Sequence, residues 1–438
     1  MPYQAGDRLP GERASRLGHL DVLKSELVKK LCGAFEKSPA HTPLAPSSWF
    51  PLPSGEEPLP LVFGVDGSVQ VIEDEVPPHK ALAFVKTALL RIDAAALAVI
   101  DKDSPHPFAL RDILEDAALY HATVFPLRHV RIPSLSTYHA VRQIVFESVA
   151  DASLQREPLE TLKWIAYEKW DGKSKQLPLF ECPYCEETCA TLPYDAETGA
   201  CPKCKGQLYL TDMLGFHQEM APDAAPNTIA TSYMSIHETL LLFTGIRLFW
   251  DGKKDVLNRC LFVKDGPLSI RAQYSKLVNP IRRFLSFANE QGTTVCILGQ
   301  EKTGTFADHL ELIGRDSPVG SFFLPDDKYI KSEIQHRPDR GAPYGKDTNY
   351  AAKLFVRSNN YHQMVLNVPT GEYVQNPKEA DLLGFGRICA TLPSILSNRH
   401  EGALLPIELA HGVASLSTYP SARILKVFAE AAASVTHR

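Results

Sequence analysis

The apolar positions of this chain follow two periods, the helical spacing of three to four residues and the continuous runs typical of short buried strands. The helical spacing predicts helices over residues 19–35, 108–121, 136–152, 157–170, 232–248, 272–289, 306–313, 377–397 and from 408 onward. The apolar runs predict strands over residues 61–66, 69–73, 81–92, 95–100, 261–265 and 293–298, and a hairpin over 353–368. Together these elements predict an α/β fold with a mixed sheet flanked by helices.

Two of the predicted strands stop at an aspartate that is followed by glycine. The first is Asp66, after the apolar residues 61–65, and the second is Asp265, after residues 261–263. An Asp-Gly pair after an apolar run indicates a turn out of the sheet, so each carboxylate is expected at the exposed end of a core strand. Two carboxylates on neighbouring strands are what a divalent metal site for phosphodiester chemistry needs.

Two further residues complete a candidate ligand set with these aspartates. Glu238 lies in the leucine-rich helix before the second strand, and His411 lies in the first turns of the last helix. Carboxylate oxygens with one imidazole nitrogen suit Mg²⁺, and the imidazole shifts the preference toward Mn²⁺. Each residue alone also has an ordinary structural explanation, such as a turn, a solvated helix face or a buried histidine. Glu147, in an earlier helix, remains an alternative to Glu238.

Composition limits the classes of partner and compartment. The chain has 438 residues, of which 44% are hydrophobic, and a formal net charge of −5. A negative protein binds a polyanion only through a local basic groove or with the help of a partner. No apolar run is long enough to cross a bilayer, and residues 1–18 lack the apolar core of a signal peptide, so we expect a cytoplasmic protein with no membrane contact.

Four of the nine cysteines form a zinc-site pattern. Cys182 and Cys185 make one Cys-x-x-Cys pair, Cys201 and Cys204 make a second, and Cys189 lies between them but off the pattern. This spacing predicts a closed structural Zn²⁺ site with four thiolate ligands. We expect the zinc to stabilise an insertion too small to bury a core, and the acidic residues around it favour a protein contact over a DNA contact.

Four short motifs resemble those of the NurA family, nucleases that work with the hexameric ATPase HerA. The first is Val65-Asp66-Gly67-Ser68, and the second is Glu238 followed by a strand that ends in Asp265-Gly266-Pro267-Leu268. The third is the strand that runs into Gly299-Gln300-Glu301-Lys302, and the fourth is the closing segment from Gly402 through Pro406 to His411. The family has a tyrosine in the closing motif, and Ala403 stands at that place here.

The resemblance implies a ribonuclease-H-like core in which Asp66, Glu238, Asp265 and His411 bind Mn²⁺ or Mg²⁺ for two-metal hydrolysis of DNA. It implies that Lys302 lies near the backbone phosphates. Ser68, Arg282 and Arg283 are further candidates for nucleic-acid contacts. The implied partners are DNA and a HerA-type ring ATPase, in end processing or antiphage defence, and the protein is expected to be a homodimer.

The expected organisation has four parts along the chain. An N-terminal helix and proline-rich arm take residues 1–60, and the nuclease core occupies 61–176, with a helical extension, and 213–438. The zinc ribbon over 177–212 interrupts that core. The alternative function is an adaptor of the same fold with a weakened metal site, which docks DNA or a partner through the zinc ribbon. The missing tyrosine is the feature that favours the adaptor.

Overall fold

The computed structural model describes residues 22–35, 48–74, 76–93, 118–220, 225, 228–338, 340–417 and 421–434. The chain divides into two compact units, Met1–Pro43 and Leu44–Arg438. In the first unit, helix α1 (Glu26–Ala34) begins after Ser25, whose hydroxyl accepts a hydrogen bond from the backbone N–H of Val28. The helix confirms part of the predicted helix over 19–35, and its apolar side chains Leu27 and Leu31 are exposed.

The second unit is built on a nine-stranded mixed sheet. Its strands are Phe50–Pro51 (β1), Leu61–Glu73 (β2), Ala81–Asp93 (β3), Ala118–Arg128 (β4), Cys260–Asp265 (β9), Cys296–Glu301 (β10), Ser321–Phe323 (β11), Ala352–Arg357 (β12) and Gln363–Val368 (β13). Their order across the sheet is β1-β11-β12-β13-β10-β9-β2-β3-β4. Strands β2, β9 and β10 are mutually parallel, and all other neighbours in the sheet pair antiparallel. The predicted α/β class with a large mixed sheet is therefore confirmed.

Helices cover both faces of the sheet. They are Thr137–Val149 (α2), Glu157–Ala166 (α3), Thr228–Gly252 (α4), Lys254–Leu257 (α5), Val278–Glu290 (α6), Thr305–Ile313 (α7), Asp327–Tyr329 (α8, continued by a π-helical turn over Ile330–Ile334), Phe385–Ile395 (α9), Leu405–Ala414 (α10) and Ser421–Ser434 (α11). Short 3-10 turns occupy Ala152–Leu154, Lys169–Asp171, Leu210–Leu214, Phe216–Glu219, Ala272–Leu277 and Glu379–Asp381. Within the described ranges, no helix is both long enough and apolar enough to span a membrane.

The alternation of side chains along β2 and β9 separates two hydrophobic cores. Phe63 and Phe262 belong to the core that contains α4, and their rings stack at a centroid distance of 4.8 Å. Val62 and Val263 belong to the core that contains α9 and α10. Successive residues of a strand point to opposite faces, so α4 and α10 lie on opposite sides of the sheet. Both helices contact β2 and β9.

The predicted turn at Asp66-Gly67 is wrong, because β2 continues through both residues to Glu73. Strand β3 pairs with β2 along its whole length, and this pairing includes Asp66 with Ala88. A side chain at position 67 would displace Met234 and Glu238 of α4, since an added Cβ would lie 2.5 Å from Cγ of Met234 and 2.7 Å from Oε1 of Glu238. The turn after Asp265 is confirmed, and Gly266 has the positive φ of 88° that favours glycine.

Most of the other predicted elements are confirmed with shifted ends. The exception is the helix over 108–121, since residues 118–121 belong to β4 and pair with β3, and the remainder lies outside the described residues. The predicted strand over 95–100 also lies outside them. The predicted helix over 272–289 begins as a 3-10 turn and becomes α-helical at Val278. Residues 118–121 pair with β3, and this pairing outweighs the helical spacing of their apolar positions. Strand formation depends on the partner strand, which the local sequence does not show.

The cysteine-rich segment forms two small antiparallel sheets. Strands Phe180–Glu181 (β5) and Thr188–Ala190 (β6) make one sheet, and strands Thr198–Ala200 (β7) and Gln207–Tyr209 (β8) make the other. A buried ion pair fastens the segment that follows to α2, with Arg142 Nη2 lying 2.8 Å from Asp212 Oδ2.

Candidate functional site

Strand register places two aspartates side by side. Val65 of β2 pairs with Lys264 of β9, and this is the last pair between the two strands. Asp66 and Asp265 are the next residues of these parallel strands, at the point where β9 ends and β2 continues along β3. The separation of the two strands opens a cavity of about 710 Å³, and both aspartates line it.

Helix α10 brings a histidine to the first of these aspartates. Asp66 Oδ2 lies 2.8 Å from His411 Nδ1, and Asp66 Oδ1 accepts a hydrogen bond of 2.7 Å from the backbone N–H of Gly67. Asp66 is buried, whereas the side chain of His411 is half exposed. Burial and the negative charge of Asp265 raise the pKa of Asp66, although the contacts with Gly67 and His411 oppose this.

Helix α4 brings the third carboxylate from the opposite side of the sheet. Glu238 is buried, and its Oε2 lies 2.7 Å from the ammonium nitrogen of Lys264, which is buried as well. Burial raises the pKa of Glu238 to about 7, and the charges of Asp66 and Asp265 add to this effect, while Lys264 opposes it. Burial disfavours the charged form of Lys264, but the negative charge of Glu238 outweighs this and raises the pKa of the lysine.

The third motif contributes a lysine at the mouth of the cavity. Lys302 follows β10 directly, and its Nζ lies 3.2 Å from Asp265 Oδ2. The preceding residue, Glu301, is held by Lys353 at 2.5 Å and by Asn367 at 2.9 Å. Of the two lysines that contact Asp265 and Glu238, Lys302 is the more exposed, with 38% of its side chain accessible compared with 3% for Lys264.

The donor set suits a hard divalent cation. Asp66, Glu238 and Asp265 offer carboxylate oxygens and His411 offers an imidazole nitrogen, and all four residues line one cavity. The raised pKa of Asp66 and of Glu238 shows that the cluster resists its own ionisation, a cost that a bound cation would offset. Within the described ranges, however, only the cysteine group has three or more ligand atoms within 4.8 Å of one another. The carboxylate cluster is more open than that group.

The remaining residues predicted for the site lie elsewhere. Glu147 is exposed on α2, where it accepts a hydrogen bond from Gln143, and it does not line the cavity. Ser68 is buried and accepts a hydrogen bond from the backbone N–H of Leu416. Of the two glutamates that the sequence left open, the structure brings Glu238 to the aspartates.

The two arginines of α6 have structural partners. Arg282 is buried, and its guanidinium donates hydrogen bonds to the backbone carbonyls of Gly345, Lys346 and Asn349. Arg283 donates to the buried carboxylate of Glu168. Neither residue lines the carboxylate cavity, so Lys302 is the basic residue of the predicted set that lies beside it.

Sequence reasoning missed Lys264 in this cavity. Lys264 is a charged residue in an otherwise apolar buried strand, and that position was the available signal. Tyr274 is only 1% exposed and belongs to the cavity wall. Tyr350 is buried close to Lys264 and Glu238, and burial raises its pKa to about 12. Ala403, at the place of the family tyrosine, is buried in the turn before α10, where its carbonyl accepts a hydrogen bond from Ser397.

The cysteine group is a second site, and it could hold zinc. The sulfur atoms of Cys182 and Cys204 lie 3.6 Å apart, and those of Cys185 and Cys201 lie 3.9 Å apart. Tetrahedral zinc with thiolate ligands requires sulfur separations of about 3.8 Å. Cys189 Sγ also lies 3.6 Å from Cys201 and 3.9 Å from Cys185, but it falls outside the group of four.

Comparison with known proteins finds similarity of structure but not of sequence. No protein-family profile matches the sequence, and a search of curated proteins finds no match. The structure is similar to that of the NurA nuclease from Sulfolobus solfataricus, with a TM-score of 0.31 and 10% sequence identity. The similarity covers 87% of this chain and 86% of that chain.

Proposed function

We propose that this protein is a divalent-metal-dependent nuclease that hydrolyses DNA. The observation that carries the proposal is the adjacency of Asp66 and Asp265 one residue beyond the last pair of β2 and β9, in a cavity that Glu238 and His411 also line. Carboxylates that lie side by side on neighbouring strands are ligands that suit a catalytic Mn²⁺ or Mg²⁺.

The strand order supports a ribonuclease-H-like core. Strands β4, β3 and β2 form an antiparallel meander, and β9 and β10 follow on the other side of β2 in parallel. Among these five strands β2 is the middle one, and Asp66 of β2 and Asp265 of β9 are neighbours where the pairing of the two strands ends.

Each residue has a role in the proposed reaction. Asp66, Glu238, Asp265 and His411 would hold the cation, and the hydrogen bond from His411 orients the carboxylate of Asp66. When bound, the metal lowers the pKa of the attacking water and stabilises the leaving oxygen. Lys302 stands at the mouth of the cavity, where its ammonium would contact a backbone phosphate in place of Asp265.

The proposal includes a ring ATPase of the HerA type as partner and a homodimeric nuclease, in DNA end processing or antiphage defence. The net charge of −5 supports the ATPase partner, because a negatively charged protein gains DNA affinity from a partner that binds the duplex. The loop over 299–305 lacks the Gly-Lys-Ser/Thr ending of a phosphate-binding loop, so energy for translocation would come from the partner.

A degradation assay tests the proposal. Purified protein is incubated with end-labelled linear DNA and Mn²⁺, with and without the ring ATPase encoded in the same genome. We expect degradation that requires Mn²⁺, that the ATPase stimulates and that Asp66→Asn abolishes. Equal degradation by wild type and Asp66→Asn would assign the activity to a contaminant and reject the catalytic site.

The second candidate function is the adaptor. It is favoured by the pairing of each cavity carboxylate with a cationic or protonatable side chain and by Ala403 in place of the family tyrosine. Absence of degradation in every combination, together with binding of the ATPase to the zinc-binding segment, would support this function over the first.

A further inference from the structure

A lysine sits inside the carboxylate cavity as a fixed positive charge. The Nζ atom of Lys264 lies 2.7 Å from Glu238 Oε2 and donates a hydrogen bond of 2.9 Å to the backbone carbonyl of Asp265. Its side chain is 3% exposed, and that of Glu238 is 5% exposed. Separating a buried ammonium from its carboxylate partner leaves a buried charge without compensation. The ammonium of Lys264 is therefore held in place, unlike that of a surface lysine.

The ion pair and the two aspartates line the same cavity from opposite faces of the end of β9. Lys264 alternates with Val263 along β9, and Val263 belongs to the core on the α10 side. The side chain of Lys264 therefore lies on the α4 side with Glu238, whereas Asp265 lies on the α10 side with Asp66 and His411. Glu238 turns Oε2 to the lysine, and its Oε1 lies beside Gly67.

We propose that Lys264 takes the place of a second metal ion, so that the site binds one divalent cation rather than two. This inference rests on the proposed function, since it assumes that the carboxylate cavity holds a metal. The ion would be held by Asp66 and Asp265 with His411, and Glu238 would contribute through Oε1. Lys264 is thus a positioning residue that fixes Glu238 and sets the charge of the cavity.

Charge balance supports one ion. Asp66, Glu238, Asp265 and Glu301 carry four negative charges when ionised. The ammonium groups of Lys264 and Lys353, which pair with Glu238 and Glu301, leave two, which one divalent cation neutralises. A second divalent cation would lie close to a buried ammonium in a medium of low dielectric, where repulsion between like charges is strong. Lys302 does not change this balance, because its exposed ammonium is free to move to a phosphate.

The experiment counts manganese ions on the zinc-loaded full-length protein. Mn²⁺ is titrated without DNA, and the free ion is measured by electron paramagnetic resonance, while zinc is measured separately by elemental analysis. We expect one Mn²⁺ per chain for wild type and two for Lys264→Met. The first ion should bind to Lys264→Met at least about tenfold more tightly than to wild type, because the repelling positive charge is gone. The double variant Lys264→Met/Glu238→Gln removes both charges and is expected to bind one Mn²⁺ per chain.

The outcomes separate this inference from the proposed function. Two Mn²⁺ on wild type, or one on a folded Lys264→Met protein, would overturn the role of Lys264 and leave the metal site standing. No Mn²⁺ on wild type would overturn the proposed function itself. The matched control is Lys331→Met, which breaks a buried Lys331–Asp327 pair of 2.6 Å away from the cavity and is expected to bind one Mn²⁺. If Lys264→Met does not fold, Lys264→Gln takes its place, and one Mn²⁺ on that folded protein would overturn the role of Lys264.

Discussion

Asp66 and His411 are separated by 345 positions in the sequence, and a hydrogen bond of 2.8 Å joins Asp66 Oδ2 to His411 Nδ1. The bond fixes the imidazole ring on the exposed side of a buried carboxylate and leaves Nε2 as the second nitrogen of that ring. Strand β2 and helix α10 therefore act together in the cavity. A carboxylate oriented in this way is a stronger metal ligand than one that rotates freely.

The first prediction concerns this bond. His411→Ala should weaken Mn²⁺ binding and nuclease activity by about 10- to 100-fold, the range for the loss of a group that orients or completes a metal site. Calorimetric titration with Mn²⁺ and the rate of DNA degradation measure the two effects. His400→Ala, at an exposed histidine outside the cavity lining, is the control and should match wild type. Wild-type affinity in His411→Ala would show that the imidazole has no part in the site.

The second prediction distinguishes the four zinc ligands from the fifth thiol of the same segment. Cys185→Ser/Cys189→Ser should lose the bound zinc, because the thiol that lies 3.9 Å from Cys185 and could replace it is removed as well. Cys189→Ser should retain one zinc ion per chain, since Cys189 falls outside the group of four. Elemental analysis of the purified variants gives the counts. Loss of zinc from Cys189→Ser would make Cys189 a ligand and revise the set.

The third prediction separates a phosphate contact from a structural ion pair. Lys302→Ala should weaken DNA binding and reduce the slope of log affinity against log salt by about 1, as the loss of one phosphate contact does. Arg283→Ala should leave that slope unchanged, because Arg283 pairs with Glu168. Fluorescence anisotropy with labelled DNA at several salt concentrations measures both. A reduced slope in Arg283→Ala would return that residue to the DNA surface.

The fourth prediction concerns acid stability. Burial of His217 lowers its pKa to about 4, below the unfolded value of 6.5, so the unfolded chain binds more protons between these limits. The stability that His217 contributes is complete above pH 6.5 and is lost as the pH falls toward 4, by about 3 kcal/mol in total. Urea unfolding across this range should show a weaker loss in His217→Gln than in wild type.

The control for acid stability is His129→Gln, at an exposed position. It should lose stability on acidification as wild type does. An equal loss in His217→Gln and in wild type would show that the buried imidazole does not carry the acid sensitivity.

The sequence predicted functional residues well where the signal lies within a few neighbouring positions. It predicted the tertiary contacts of those residues less well. The two Cys-x-x-Cys pairs predicted a cluster of four thiols, and the structure confirms it, because each pair lies in a tight turn whose geometry is local. Asp265 was predicted at a strand end for a similar reason. At Asp66 the same reasoning predicted a turn, and pairing with β3 overrode it.

By itself, the sequence determined which segments alternate between strand and helix, where the thiolate ligands lie and which carboxylates are available, since periodicity and motif spacing act over a few residues. Tertiary structure alone decided that Glu238 rather than Glu147 reaches the aspartates, that Arg282 is buried under a loop, and that Lys264 pairs with Glu238. These contacts join segments that are far apart in the chain. Their partners are set by sheet register and by helix packing on opposite faces, which no local pattern encodes.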